Sequence, residues 1–356
     1  MKKNIIILLL AVFMAVSLTA GFTQDYGKKI WQFQHTGIKE NLNAVYALDE
    51  NTVWAAGDNG RIINSVDGGQ TWTVQESTTD EHLADIYFLD NMNGYAAGEN
   101  SVFLKTTDSG KTWTNYPLHY LINYKVLNLH FMNKNEGCVT GTLFGMMSAR
   151  PTGFIGRTSN GGENFKITNI FDMNTINALF FLDDKNGWAS GTLAKVASIK
   201  AGNKMYTTTD GGQNWNGNYF MKGGTFVIPV VYDIFFIDDK NGWAAGSLDG
   251  DFGSTYARIH YTKDGGDTWK LQTLDQYNGY LRKIQFFDKQ NGVAVGGSPN
   301  INNPTDPLII YTTDGGAIWK KAEFYDGVVP FGACFVNSKC GWLVGEGGAV
   351  YKYYNK

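Results

Sequence analysis

The sequence predicts an all-β protein folded as a seven-bladed β-propeller of four-stranded blades. Short runs rich in Val, Ile, Phe, Tyr and Thr alternate with clusters of Gly, Asn and Asp, and helical periodicity is hard to find. Two linked patterns recur in units spaced by about 40 to 55 residues, one of them in seven units and the other in six. Units of this length with four antiparallel strands are typical of a propeller, in which each unit forms one blade.

The first pattern is an octapeptide, "TTDGGQNW" at residues 208–215, which returns with small changes in other units. Its Asp-Gly-Gly centre favours a tight turn, because a short carboxylate accepts backbone N–H groups and Gly adopts a positive φ without steric cost. Repeated carboxylates in equivalent turns cannot share one active site, so we interpret them as structural. The turn positions are Asp67, Asp108, Asn160, Asp210, Asp264 and Asp314.

The second pattern, "IFFIDDKNGWAAG" at residues 234–246, precedes the octapeptide and supplies the first two strands of a unit. Strand a is the apolar run and strand b is "GWAAG"; strand c runs into the octapeptide, and strand d leaves from its closing aromatic residue. The seventh unit ends after strand c, in "AVYKYYNK". We expect the N-terminal segment "KIWQFQ" (29–34) to supply the missing strand and close the ring, which removes an open sheet edge. The propeller is therefore assigned to residues 29–356.

The first twenty residues have the character of an export signal. Lys2 and Lys3 precede an apolar run, Ile5–Val16, which ends in small residues up to Ala20. We expect a signal peptide at residues 1–20 and an exported, soluble mature protein in the periplasm, at the cell surface or in the medium. No later stretch is apolar enough for a membrane span. The formal charge of −3 lacks the basic excess of a nucleic-acid-binding protein.

The pairing of the two motifs, "S/T-x-D-x-G-x-T-W" with "F-x-D-x-x-N-G-W-A-x-G", resembles the Ycf48/HCF136-like photosystem II assembly factor family. The resemblance covers nearly the whole mature chain. It implies a propeller that serves as a binding scaffold for a protein partner or an assembly intermediate. The octapeptide alone, the Asp-box, also occurs in sialidases, xyloglucan hydrolases and sortilin-type receptors, so it indicates the fold more strongly than the function.

A binding surface is expected on the face that carries the b–c loops and the d–a connections, because the extra length of the chain lies in the b–c loops. Arg61, Lys204 and Arg258 share one register in the c strands, and Arg282 begins an a strand. Four cations on an acidic protein suit an anionic partner. Alternatively, they are unrelated surface charges, or they pair with Asp85 and Asp233, which begin a strands. The long loops are Thr142–Phe154, Thr192–Lys204, Ser247–Arg258 and Gly297–Leu308.

The alternative function is that of a glycan-active hydrolase or a carbohydrate-binding protein. Hydrolysis needs two carboxylates that face each other across a groove, and Asp85 with Asp233 is the best pair. The "GRIIN" segment (60–64) lacks the Pro of a sialidase signature. The His residues lack the paired spacing of a metal site, and no metal or cofactor is expected. The leading interpretation is a non-enzymatic protein.

Cys334 and Cys340 flank the a–b turn of the seventh unit. In a hairpin centred on Asn337 they would lie opposite each other, at the separation that a disulfide requires, and an oxidising compartment would preserve the bond. Cys334 also stands where other units have a core Phe and is alternatively a small buried apolar residue. Cys138, at the aromatic position of strand b, is expected to be a buried thiol.

Overall fold

The computed structural model describes residues 30–119, 122–144, 150–193, 203–220, 230–249, 255–272, 274, 277–300, 303–324 and 327–354. These residues form seven four-stranded antiparallel sheets around a central channel, which confirms the predicted all-β seven-bladed propeller. The signal peptide expected at residues 1–20 lies outside the described residues. Among the residues described, no helix is long and apolar enough to cross a membrane.

Each blade runs from an inner strand a at the channel to an outer strand d. The a strands are β2 (Leu42–Ala47), β6 (Leu83–Phe88), β10 (Tyr124–Phe131), β14 (Met173–Phe181), β18 (Val230–Phe236), β22 (Tyr280–Phe286) and β26 (Pro330–Asn337). The b strands are β3 (Val53–Gly57), β7 (Gly94–Gly98), β11 (Gly137–Leu143), β15 (Gly187–Leu193), β19 (Gly242–Asp249), β23 (Gly292–Asn300) and β27 (Cys340–Gly345). The c strands are β4 (Ile62–Ser65), β8 (Phe103–Thr106), β12 (Thr152–Thr158), β16 (Lys204–Thr208), β20 (Thr255–Thr262), β24 (Asn303–Thr312) and β28 (Val350–Tyr354). The d strands of blades 1–6 are β5 (Thr73–Gln75), β9 (Thr114–Asn115), β13 (Lys166–Ile170), β17 (Asn216–Tyr219), β21 (Lys270–Gln272) and β25 (Lys320–Lys321).

The N-terminal strand closes the ring, as the sequence predicts. Strand β1 (Ile30–Gln34) pairs antiparallel with β28 and is the fourth strand of blade 7. Its Trp31 ring lies 5.0 Å from the Tyr353 ring and 6.2 Å from the Phe335 ring. The two ends of the described chain therefore share one sheet.

Aromatic rings join consecutive blades in a repeated arrangement. Trp54 of β3 stacks on Phe88 of the next blade, with ring centroids 3.6 Å apart and an interplanar angle of 12°. The Asp-box residue Trp113 then meets Phe88 edge-on, at 6.0 Å and 88°. The same three-ring pattern recurs in Trp188–Phe236–Trp269 and in Trp243–Phe286–Trp319. Much of the core therefore lies between blades.

The Asp-box turns are held by their own side chains. In blade 4 the Thr208 hydroxyl donates to an Asp210 carboxylate oxygen and accepts the buried N–H of Gly212. Asp210 in turn accepts the backbone N–H of Asn214. Gly212 has φ +77°, and a Cβ there would lie 2.6 Å from the Cys138 sulfur. The turn chemistry and a close approach to the preceding blade both require Gly at this position.

The expected opposition of Cys334 and Cys340 is wrong. A register shift between Phe335 and Asn337 places Cys334 opposite Trp342 and Cys340 opposite Asn337. The Cys334 sulfur accepts the backbone N–H of Ala47 in blade 1. Both thiols are free, because the irregularity in β26 separates the pairing partners that a regular hairpin would bring together. Cys138 is a buried free thiol.

Candidate functional site

A bulge near the start of every a strand shapes the mouth of the central channel. In all seven a strands the pairing register with strand b shifts by one residue near the start of the strand, for example between Leu83 and Asp85. A bulge turns consecutive side chains towards the same side. Both Arg282 and Lys283 line the mouth as a result, as do Ala84 and Asp85.

The channel mouth is a cavity of about 430 Å³ on the face that the b–c turns and the d–a connections share. Backbone hydrogen bonds join the two kinds of segment there, since the Glu99 N–H donates to the His82 carbonyl oxygen. Deeper in the channel lies a further cavity of about 250 Å³, which is encircled by larger side chains. These side chains are Tyr46, Tyr87, His130, Phe180, Phe235, Gln285 and Cys334.

Three charged side chains project into the channel between the mouth and these larger side chains. Asp85 accepts the backbone N–H of Leu129 at 2.9 Å, and Asp233 accepts that of Ile284 at 2.8 Å. Each carboxylate therefore ties its own blade to the next one. The Lys283 ammonium lies 3.7 Å from a carboxylate oxygen of Asp233.

Burial and their mutual charges shift the pKa values of these three groups. Burial raises the pKa of Asp85 to about 6, although the charge of Lys283 and hydrogen bonds from the backbone act in the opposite direction. Burial also raises the pKa of Asp233, again opposed by Lys283. The negative charge of Asp233 raises the pKa of Lys283 against the effect of burial. The ammonium form is thereby stabilised.

The rim of the mouth carries a further set of charges, most of which are paired. His82 lies 2.9 Å from Asp58, and this contact raises the pKa of the imidazole. Lys125 forms an ion pair with Glu99. Arg282, by contrast, is exposed and makes no ion pair with any residue that the structure describes.

Two aromatic rings support the Arg282 guanidinium. Its central carbon lies 5.1 Å from the Tyr280 ring centroid and 5.5 Å from that of Phe331. Such cation–π contacts orient a guanidinium without occupying its hydrogen-bond donors. The donors of Arg282 are therefore available at the rim.

The other three predicted cations do not join Arg282 in the mouth cavity. Arg61 pairs with Glu40, and Lys204 pairs with Asp172. Arg258 lies over the Tyr256 ring and donates to the carbonyl oxygen of Ala257. The structure thus brings Asp85, Asp233 and Arg282 to one channel and leaves Arg61, Lys204 and Arg258 outside its lining.

Sequence reasoning missed Lys283. Its strand has the same pattern as the other a strands, and Lys283 stands in the register of Asp85 and Asp233. Reading that register across all seven units would have found it.

In blades 3, 5 and 6 the described parts of the long b–c insertions continue the sheet as extended hairpins. In blade 5 Asp249 pairs with Thr255, and in blade 6 Asn300 pairs with Asn303. Parts of the four predicted loops, residues 145–149, 194–202, 250–254 and 301–302, lie outside the described residues. Within the described part of the chain, no group of three His, Cys, Asp or Glu side chains is arranged to hold a metal ion.

Comparisons with known proteins agree with the motif pattern. The family model described as "Photosynthesis system II assembly factor YCF48" matches residues 71–226. The resemblance to the Ycf48 family is confirmed. No curated protein sequence matches the chain.

Solved structures of Ycf48 share the fold over almost their full length. A structure of Ycf48 bound to D1 peptide is 18% identical, with a TM-score of 0.65, and the alignment covers 92% of this chain and 97% of the other. Ycf48 from Cyanidioschyzon merolae is 17% identical, with a TM-score of 0.64 and coverage of 91% and 98%.

A glycoside hydrolase has a similar fold. The GH74 enzyme of Niastella koreensis is 13% identical, with a TM-score of 0.63, and the alignment covers 90% of this chain. The chain spans about half of that enzyme, 53% of its length. At this identity the likeness shows the fold alone.

Proposed function

We propose that this protein is an exported, non-enzymatic binding scaffold that holds a segment of a protein partner at the channel mouth. The observation that carries the proposal is Arg282, an exposed guanidinium without an ion pair among the described residues, backed by two rings at the rim of a cavity of about 430 Å³. The solved Ycf48 relative bound to D1 peptide supports a protein partner.

The chemistry of the mouth favours a carboxylate on the partner. A guanidinium offers paired N–H donors that match a carboxylate in geometry and charge. The neighbouring carboxylates of Asp58 and Glu99 already contact His82 and Lys125, so they compete little for Arg282. We infer that Arg282 anchors an acidic side chain or a C-terminal carboxylate.

Quantitative capture with matched variants tests this function. The mature protein is immobilised and exposed to the periplasmic or surface fraction, and the captured partner is then titrated against wild type, Arg282→Gln and Arg258→Gln. We expect at least about a tenfold loss of affinity for Arg282→Gln, because a charge-assisted contact with the partner is removed. Arg258 also lies over an aromatic ring but outside the mouth, so Arg258→Gln should bind like wild type. Equal affinities for all three proteins would contradict the assigned site.

One observation favours the hydrolase alternative. Asp85 has a pKa of about 6, as a general acid requires, and it shares the channel with Asp233. Both carboxylates are nevertheless engaged by backbone N–H groups of neighbouring blades, which is sufficient reason for their presence. Sustained turnover on a panel of glycans, abolished by Asp85→Ala or Asp233→Ala, would overturn the non-enzymatic proposal.

A further inference from the structure

Several contacts between blades share one packing position, called the seat below, in which an aromatic ring of strand b lies against a Phe of the following blade. At four of them a ring of strand b stacks face to face on a Phe of the following blade, with centroids 3.5 to 3.7 Å apart. The stacked pairs are Trp54–Phe88, Tyr95–Phe131, Trp188–Phe236 and Trp243–Phe286. The rings that occupy this position in the protein therefore show which kind of group fits it.

The contact between blades 6 and 7 lacks the stacked ring. Val293 occupies the strand-b position, and the Phe of the following blade is Phe335. The ring contacts of Phe335 with Trp31, Phe287 and Tyr353 have interplanar angles of 71° to 77°, so each is edge-on. No ring in the described part of the chain stacks on its face.

This contact also lacks an Asp-box on its far side. In blade 5 the Asp-box covers the preceding strand-b ring, and the Trp188 indole N–H donates to the Gly265 carbonyl oxygen at 2.7 Å. In blade 7 strand c is β28 and strand d is β1, so no c–d turn exists to serve the same purpose. Within the described residues, the edge of the seat therefore lacks that cover.

The result is a cavity of about 310 Å³ beside Val293. Its wall is formed by Trp31, Val293, Ile309, Tyr311, Phe335 and Tyr353, and polar side chains including Asp288, Asn291 and Ser338 also line it. The apolar wall and polar edge suit a flat ring that carries one hydrogen-bond donor.

A small strand-b residue alone does not create this cavity. Cys138 replaces the ring between blades 3 and 4, but the Asp-box of blade 4 closes over it and leaves it fully buried. A Cβ on Gly212 would lie 2.6 Å from the Cys138 sulfur. The cavity at Val293 therefore depends on two local features: the missing ring and the missing Asp-box.

We propose that the Val293 cavity is a binding site for an indole ring, supplied by a small molecule or by a tryptophan side chain. The equivalent seats are filled by indoles three times and by a phenol once, which identifies the ligand chemistry. The site lies on the blade 6–7 contact and shares no lining residue with the channel mouth, although Val293 and Phe335 also line the deeper channel. The inference does not rest on Arg282 or on the proposed function.

Indole itself is the test ligand, titrated into the mature protein while methyl resonances of Val293 and Ile309 are followed by NMR. We expect saturable ring-current shifts at both residues with a Kd of about 1 mM or tighter. Val293→Trp fills the seat, so indole affinity should fall at least about tenfold and Tm should rise. Arg282→Gln should leave indole binding unchanged. N-acetyl-tryptophanamide binding as well as indole would assign the ring to a peptide side chain; binding of indole alone would assign it to a small molecule.

Two results would overturn the proposal. The first is an absence of shifts at Val293 and Ile309 in wild type at saturating indole, a measurement that does not depend on the folding of any variant. The second is indole binding that occurs only after residues 21–29 are removed, because the chain itself would then occupy the seat.

Discussion

At the scale of single residues, the hydroxyl of Thr208 shows how an Asp-box turn is held. This side chain is 3% exposed and accepts the buried N–H of Gly212 at 2.9 Å. Thr208→Val keeps the shape but leaves that N–H without its partner, so we expect a loss of about 1–3 kcal/mol in the free energy of unfolding. Chemical denaturation measures this loss. Thr209 is exposed in the same turn, and Thr209→Val should change stability by less than about 0.5 kcal/mol. Similar values for the two variants would show that the hydroxyl contributes little.

The buried carboxylate of Asp85 makes a prediction about pH. Burial raises its pKa from 3.8 to about 6 in the folded protein, so the unfolded chain releases this proton first as the pH rises. Ionisation therefore opposes folding between these two values, and the full cost is present above about pH 6. Asp85→Asn can still accept the Leu129 N–H, and we expect it to stabilise the protein by about 1–2 kcal/mol near pH 7.5. The gain should disappear towards about pH 4.

Asp210 provides a control, because its pKa is shifted in the opposite direction to that of Asp85. Hydrogen bonds from the backbone and side chain of Asn214, together with the Thr208 hydroxyl, lower the pKa of Asp210 to about 2. Its ionised form supports folding above its unfolded pKa of 3.8, and that support is lost as the pH falls through about 2. Asp210→Asn should therefore lower Tm at neutral pH, and the difference should narrow only below about pH 4. An Asp85→Asn variant that behaved in the same way would refute the raised pKa of Asp85.

At the scale of elements, the sequence predicts which strands exist better than how they are paired. The repeated apolar runs and Asp-boxes are local signals, and the four strands of each blade follow from them. Register shifts have no comparable signal in the sequence, because apolar and polar residues still alternate along the strand on either side of a bulge. The shift in β26 invalidates the expected Cys334–Cys340 opposition, and the shifts in the other a strands bring neighbours such as Arg282 and Lys283 to one mouth.

A shared strand register also explains why the predicted cluster of four cations does not form. A shared register along strand c, as for Arg258 in β20 and for Arg61 immediately before β4, fixes a residue's height and distance from the axis. It gives each residue a different angular position around the ring. Residues in strand c are also separated from the channel by strands a and b. Only the a strands converge, so Asp85, Asp233 and Arg282 were the predicted residues that the fold could bring together.

At the scale of the whole molecule, the ring is closed by contacts of two kinds. Strand β1 pairs with β28 inside blade 7, and Trp31 covers Phe335 and Tyr353. Blade 7 is also tied to blade 1, because the Lys352 ammonium donates to the carbonyl oxygens of Glu50 and Gly68. The second set does not involve β1.

Removal of residues 29–34 separates the contribution of β1 to stability from that of the Lys352 contacts between blades 7 and 1. The outer edge of β28 would then be unpaired and the rings beneath Trp31 uncovered, while the Lys352 contacts would persist. We expect a folded propeller whose Tm is lower by several degrees, up to about 6 °C, since each 1 kcal/mol moves a protein of this size by roughly 2 °C or less and Trp31 should contribute about 3 kcal/mol. Exposure of the β28 edge should also promote association, which light scattering would detect. Deletion of residues 21–28 leaves β1 in place and is the matched control. A Tm within about 1–2 °C of the control would mean that the contacts between blades 7 and 1 close the ring without the N-terminal strand.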